Sequence, residues 1–260
     1  MKMPKKGLLI VSFGTSFLDA LERDIVPVEK ALAAAFPNYS IYRAFGSRMI
    51  ISKLRARDQI QIASIQEALD EMAQMGIEEL LIQPTYLIHG IEYDSLIEAV
   101  RENANRFQSV CVGRPLLSLT DDYLALAGGI TEEFPKEKGI LVLMGHGTEH
   151  NANAAYLALE TVFRKQGHSH VYVGAVEGYP DIDLICRELR NDGTTSVTLS
   201  PLMLVAGDHA NNDMASDEPD SWKRKLLEIG VKSNCIIRDL GSYSFIQELF
   251  VNHAKEAKRV

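Results

Sequence analysis

The sequence begins again near its midpoint, and this repetition restricts the fold more than any other feature. Lys138-Gly139-Ile140-Leu141-Val142 matches Lys6-Gly7-Leu8-Leu9-Ile10 in residue type. Each opens a short apolar run bounded by glycine, the pattern of a strand buried in a parallel sheet. The runs end in Gly14-Thr15-Ser16 and in Gly145-His146-Gly147-Thr148. Further on, Ala44-Phe45-Gly46-Ser47 is answered by Ala175-Val176-Glu177-Gly178. The helical spacing of Ile62, Ile65, Leu69 and Met72 is answered by Ile182, Ile185 and Leu189. Pro84 with His89-Gly90-Ile91-Glu92 is answered by Pro201 with Ala206-Gly207-Asp208-His209, which sets Glu92 opposite His209. Strands alternating with helices, twice over, predict an α/β protein of two similar doubly wound parallel-sheet lobes with a cleft between them.

Strands are expected at 7–13, 40–45, 79–87, 171–176 and 196–205, besides the run into Gly145. Ser16 is the expected N-cap of a first helix that Pro27 divides. Pro84 suggests an irregular edge, and the stretch through Gly113-Arg114-Pro115 reads as a linker. The N-terminal lobe is placed at 1–120 and the C-terminal lobe at 121–243. A last helix within 244–260 is expected to pack back on the first lobe.

Charge and cysteine usage narrow the class. A formal net charge of −8 over 260 residues argues against nucleic acid, because phosphate-neutralising surfaces are basic. The basic start, Met1-Lys2-Met3-Pro4-Lys5-Lys6, precedes an apolar run that stops at Ser12, too short for a secretory signal. No stretch approaches the roughly 18 apolar residues needed to span a bilayer, so no membrane partner is expected. Cys111, Cys186 and Cys235 are odd in number and scattered, which suits a reducing cytoplasm and neither a disulfide frame nor a thiolate metal site. Oligomeric state is not written in the sequence, and a homo-oligomer is compatible with it.

The chemistry concentrates in the second half. His146, Glu177 and His209 stand at the ends of three successive strands, the edge at which open α/β sheets bind ligands. Adjacent strands lie about 4.8 Å apart, so side chains from neighbouring ends can meet on one ion. Two imidazoles and a carboxylate suit Co²⁺, Fe²⁺, Ni²⁺ or Zn²⁺ rather than Mg²⁺ or Ca²⁺. Three protein ligands leave coordination positions open, as in reactive sites. Asp208, Asn211 and Asp213 surround His209, and either orient its ring or cap the helix they begin. His150 is a candidate to support His146; His168 and His170 are expected in an exposed turn and His253 on a helix surface.

These segments closely resemble a known family. Gly145-His146-Gly147-Thr148, Ala175-Val176-Glu177-Gly178-Tyr179-Pro180 and the long run from Pro201 through His209 to Ala215 are similar to the anaerobic cobalt chelatases of cobalamin biosynthesis, which are class II tetrapyrrole chelatases. Val11-Ser12-Phe13-Gly14-Thr15-Ser16, Arg43-Ala44-Phe45 and Lys53-Leu54-Arg55-Ala56-Arg57-Asp58 extend the likeness over nearly the whole chain. The resemblance implies two doubly wound lobes around a cleft. It implies ATP-independent insertion of Co²⁺ into sirohydrochlorin or precorrin-2, with Co²⁺ as substrate metal and no organic cofactor. It also implies His146 as the metal-binding and catalytic histidine, Glu177 as acidic ligand and His209 as second histidine. Insertion removes two pyrrole protons. Either His146 takes them, or the histidines hold metal and Glu177 takes them.

A polycarboxylate substrate needs local cations. Arg48, Lys53, Arg55 and Arg57 form the densest basic segment, with Arg43 just before it near a strand end, and arginine grips carboxylates bidentately. Ser12, Phe13 and Thr15 stand where the first lobe is expected to meet the macrocycle. His89 and Glu92 occupy the loop matching that of His209 and line the cleft or bind a second metal or a haem. Three other readings compete with cobalt insertion: Fe²⁺ insertion for sirohaem, a zinc hydrolase, and a binding protein that carries metal or tetrapyrrole without reaction.

Overall fold

The computed structural model describes residues 4–260; the basic start at 1–3 lies outside them. β1 (Lys6–Ser12) is buried along almost its whole length, with Leu8, Leu9, Ile10 and Val11 at no more than 1% exposure. A strand covered on both faces reads as a continuous apolar run. Each such side chain contributes roughly 1.5–3 kcal/mol by leaving water. β1 pairs in parallel with β2 (Ser40–Phe45) on one side and β4 (Glu79–Pro84) on the other. β3 (Ala63–Ser64) and β5 (Ser109–Val112) extend the sheet in parallel, and β10 (Lys258–Arg259) adds an antiparallel edge. The order is β10-β5-β4-β1-β2-β3.

The second sheet is built alike. β6 (Ile140–Gly147) runs between β7 (Val171–Glu177) and β8 (Ser196–Pro201), and β9 (Lys232–Cys235) pairs with β8, all in parallel. Its order, β7-β6-β8-β9, matches β2-β1-β4-β5 strand for strand. Register matches too: Val11 opposes Pro84, and Met144 opposes Pro201. Counting from these pairs, Phe13 occupies the position of His146 and Glu92 that of His209. Ser12 opposes Phe45 and Gly145 opposes Ala175, so Ser47 takes the place of Glu177.

By their internal packing the described residues group into two units, 4–118 with 241–260, and 119–240. In the first, helices α1 (Leu18–Ala20), α2 (Val26–Ala35), α3 (Arg48–Asp58), α4 (Ile65–Gln74) and α5 (Ile91–Asn103) flank the sheet. They are joined by α10 (Ser244–Lys255), which packs on α2 and β4. The second unit holds α6 (Thr120–Glu133), α7 (Ala154–Lys165), α8 (Ile182–Asn191) and α9 (Trp222–Glu228). Helix starts follow the sequence. Ser64 and Glu67 exchange side-chain and backbone hydrogen bonds in a capping box before α4, and Asp181 accepts from Leu184 N–H before α8. Ile182, Ile185, Cys186 and Leu189 are the buried stripe of α8.

Several expectations are corrected. The strands expected to reach Leu87 and Val205 stop at Pro84 and Pro201, because proline carries no N–H for the ladder. β4 lies inside its sheet and not at an irregular edge; Pro84 is tolerated as its last residue. The linker before Gly113 contains β5, whose alternate residues Val110 and Val112 are buried. The first helix starts later than expected: Phe17, not Ser16, holds the cap position and brings no side-chain cap, while Thr15 Oγ1 accepts from the Phe17 N–H in the turn just ahead. Pro27 does not divide the helical run, because a π-helical turn at Leu21–Ile25 leads into α2, where Pro27 takes a first-turn position. His170 and His253 are buried rather than exposed. Each packs under a neighbouring segment, His253 Nδ1 lying 3.2 Å from the Arg114 carbonyl and His170 Nε2 3.4 Å from that of Phe134.

Candidate active site

The carboxyl ends of β6, β7 and the loop after β8 bring His146, Glu177 and His209 together in the second unit. The rings of His146 and His209 meet edge to face, centroids 4.7 Å apart at 83°. His146 Nδ1 lies 4.0 Å from Glu177 Oε2. All three side chains keep a face open: 42% of the His146 side chain, 61% of Glu177 and 33% of His209 are exposed. His146 is the residue that approaches both of the others. Among the described residues no three His, Cys, Asp or Glu side chains stand at ligand distance from one point.

The reason lies in what each ring already bonds. His146 Nδ1 stands 2.9 Å from the Gly147 carbonyl. A carbonyl only accepts, so Nδ1 carries the proton there and Nε2 keeps its lone pair. His209 Nδ1 is paired with Asp213 Oδ2, which likewise leaves Nε2 available. A carboxylate or carbonyl behind an imidazole is the common way of fixing a ligating histidine's tautomer and rotation. Of the three candidates to orient His209, Asp213 does so. Asn211 Nδ2 donates instead to the Gly207 carbonyl, and Asp208 accepts from Asn212 Nδ2. The π-helical turn at Ala210–Met214 carries Asp213 back under the ring; such turns often sit at functional sites.

Glycine makes the β6 end possible. A Cβ on Gly145 would stand 2.2 Å from the buried Tyr156 ring, and one on Gly147 only 1.6 Å from the Glu177 carbonyl oxygen. Gly147 also sits at φ +85°, where L side chains are strained. Its N–H donates to the Tyr156 hydroxyl at 3.2 Å. Asn153, ahead of α7, is a residue that sequence reasoning passed over; its amide joins the His146 and Glu177 loops. Read alone, Asn151-Ala152-Asn153 looks like ordinary helix-start chemistry, and only the fold reveals both acceptor and donor partners. His150 caps the short turn at Asn151–Asn153, its Nδ1 accepting from Ala152 N–H.

In the first unit the remaining candidates are dispersed. Ser12 and Thr15 are buried, with Ser12 Oγ bonded to Thr85 Oγ1 at 2.9 Å. Phe13 is 42% exposed at the end of β1. Arg43 is held bidentately by Glu29, and that hydrogen bond raises its pKa above the ordinary guanidinium value. Arg48 and Arg55 are exposed on α3, Arg55 lying 3.9 Å from Glu67. Arg57 is engaged by Asp58 and the Ser16 carbonyl. His89 Nε2 meets Asp94 at 3.0 Å and its ring stacks edge to face on Tyr93; Glu92 is exposed beside it.

Comparison with known proteins gives this arrangement its context. The family model described as cobalt chelatase (CbiK) matches residues 6–259. The chain belongs to the CbiK cobalt chelatase family. Because the cobalt chelatase match runs through both units, neither sheet is an addition to the family's fold. Among its relatives, the sirohydrochlorin cobaltochelatase of Salmonella typhimurium is 42% identical over 255 residues, covering 97% of this chain and 96% of that protein. The sirohydrochlorin cobaltochelatase CbiKC of Nitratidesulfovibrio vulgaris is 30% identical over 263 residues, covering 99% and 92%. SirB from Bacillus subtilis with Fe³⁺ superposes with a TM-score of 0.67 at 14% identity, over 97% of this chain and 95% of that one. CbiX, described as the terminal enzyme for biosynthesis of sirohaem in denitrifying bacteria, gives 0.60 at 16% identity, over 97% and 100%. At these identities the two structures attest the parallel-sheet α/β fold.

Proposed function

We propose that this protein inserts Co²⁺ into sirohydrochlorin, or its less oxidised precursor precorrin-2, without ATP. The observation that carries the reading is the pairing of two Nε2-free imidazoles, His146 and His209, beside the Glu177 carboxylate at one set of strand ends. Family membership and the names of the relatives supply the metal and the macrocycle. Co²⁺ is a substrate here, and no organic cofactor has a part in the scheme.

The residues account for the chemistry as follows. Neutral imidazole has a pKa of about 6.5, so near neutral pH it binds a divalent ion or accepts a proton. His146 and His209 present Nε2 to Co²⁺, and rotation of the exposed Glu177 side chain brings its carboxylate to the same ion. Entry of Co²⁺ into the ring releases two pyrrole protons, which leaves the core neutral. Once the ion has passed to the ring, the Nε2 lone pair of His146 is free again and is the leading acceptor of one proton, and Glu177, 4.0 Å away, is the acceptor for the other. Three borderline ligands hold the ion without the grip of a thiolate cage, which suits a site that must hand its ion over.

The exposed cations Arg48 and Arg55 on α3 are assigned to the substrate's carboxylates; Arg43, near the end of β2, is withdrawn from that role by its bidentate pairing with Glu29. The exposed Phe13, His89 and Glu92 are assigned to contacts with the macrocycle, while the buried Ser12 and Thr15 support the turn after β1 through Thr85 and Phe17. Cytoplasmic residence fits a biosynthetic role, and no helix among the described residues is long and apolar enough to cross a membrane.

The test is direct. Purified protein is mixed with sirohydrochlorin and Co²⁺, and the visible spectrum of the tetrapyrrole is followed. Turnover above the protein-free rate is expected, and a spectral change that halts at one equivalent of protein would show binding without reaction. His146→Ala should abolish insertion. Because the side chain is 42% exposed, stability should change by no more than about 0.5 kcal/mol. Wild-type turnover by this variant removes His146 from the mechanism.

A further inference from the structure

Two ligand-bearing loops, one after β6 and one after β7, are tied together by a single side chain. Asn153 Oδ1 accepts from the Thr148 N–H at 3.1 Å, and Asn153 Nδ2 donates to the Tyr179 carbonyl. Thr148 follows His146-Gly147, and Tyr179 follows Glu177-Gly178. The amide is packed closely between them: a Cβ on Gly178, which has φ +101°, would meet Asn153 atoms at 3.1 to 3.3 Å. Glycine at 178 is therefore what lets the amide reach the Tyr179 carbonyl. On the other side, the Gly147 and Glu177 backbones already run so close that no Cβ fits between them. The exposed Glu177 side chain has no hydrogen-bond partner in this cluster other than His146 at the limit of an ion pair. Its placement consequently depends on its backbone.

We infer that Asn153 is a positioning residue that sets the separation of His146 and Glu177, and so the readiness of the site for its metal substrate. The inference rests on the reading of His146, Glu177 and His209 as metal ligands. Asn153 itself touches neither metal nor macrocycle; it acts through the two loops. An amide is required because one end must accept and the other donate. Aspartate, of the same shape but acceptor-only when ionised, keeps the Thr148 bond and turns the Tyr179 contact into a repulsion of two oxygens. Asn153→Asp thereby releases the Glu177 loop alone.

The experiment titrates Co²⁺ into the tetrapyrrole-free protein and reads the visible ligand-field band, in four proteins: wild type, N153D, E177A and N153D/E177A. Outer residues that orient metal ligands typically contribute 10–100-fold to affinity. N153D should weaken Co²⁺ binding by roughly that factor in the wild-type background. In the E177A background, where the ligand it positions is gone, the same change should cost less than about 2-fold, since coupled residues are non-additive in such a cycle. In turnover, N153D should raise KM for Co²⁺ and leave KM for sirohydrochlorin unchanged. Equal losses in both backgrounds, or unaltered Co²⁺ affinity in N153D, overturn the inference. If N153D does not fold by circular dichroism, Asn153→Ser, whose hydroxyl is too short to span the loops, is carried through the same cycle with the same two criteria. Wild-type protein that binds Co²⁺ but never inserts it overturns the functional reading and leaves the positioning role standing. Wild-type insertion with an indifferent N153D overturns the positioning role alone.

Discussion

Gly147 and Gly167 offer a matched pair for weighing backbone conformation against close approach. Both sit at nearly the same positive φ, +85° and +87°. Added methyl groups would meet very different surroundings. At Gly167 nothing lies within 4 Å of the built Cβ, whereas at Gly147 the Glu177 carbonyl oxygen is 1.6 Å away, its carbon 2.5 Å and the Ala175 Cβ 2.9 Å. Atoms in contact rest at roughly 3.5 Å, so the β6–β7 pairing must part at Gly147 and Glu177. Gly167→Ala should cost only the left-handed conformation, about 1–2 kcal/mol. Gly147→Ala adds overpacking, typically about 1–3 kcal/mol, for a total of about 2–5 kcal/mol. In a chain of this size each kcal/mol lowers Tm by roughly 2–4 °C. Calorimetry should therefore place G147A below G167A by at least about 2 °C. Co²⁺ titration should show G167A indistinguishable from wild type and G147A weakened, because the backbone that moves carries Glu177. Equal Tm values in the two variants, or unaltered Co²⁺ binding in G147A, would refute the close-approach account of this turn.

Two further outcomes follow from other parts of the molecule. Asp213→Asn keeps the shape but replaces the carboxylate behind His209 Nδ1 with a neutral amide; Co²⁺ affinity in the free protein should fall about 10-fold, with the unfolding midpoint unchanged, and a fall in stability without a fall in affinity would assign the pair to structure instead. Burial pushes the Cys186 thiol up to about 11, so at pH 8 iodoacetamide should alkylate it far more slowly in native protein than in urea; equal rates by peptide mass analysis would contradict the burial.

What the sequence made legible was whatever is carried by continuous apolar runs and by caps. β1 and β6 stood out because buried parallel strands are apolar throughout, and α8 because its stripe recurs at helical spacing. β9 and β10, Lys232–Cys235 and Lys258–Arg259, are polar edge strands whose pairing comes from a neighbour rather than from their own residues. The basic segment at α3 illustrates the other limit. Arg43, Arg48 and Arg55 look alike in sequence, but Glu29 has already claimed Arg43, and the glutamate lies on a different element. The identity of an ion-pair partner is a tertiary fact. So is the role of Asn153, whose two bonds go to loops far apart in the chain.

The duplicated sheet also explains why the candidate metal ligands gather in one unit. Strand order and register are the same in both halves, so the backbone offers the same three strand-end positions twice. In the second unit they are His146, Glu177 and His209; in the first they are Phe13, Ser47 and Glu92. The accompanying groups differ in the same sense. Gly145 and Gly147 clear space around His146, and Asp213 stands behind His209, whereas Phe13 presents an exposed ring and Ser47 caps α3 through the Ile50 N–H. One carboxylate among an aromatic and a hydroxyl is a poor site for a borderline divalent ion. Equivalent strand-end positions thus carry two imidazoles and a carboxylate in the second unit, and an aromatic ring, a hydroxyl and a carboxylate in the first.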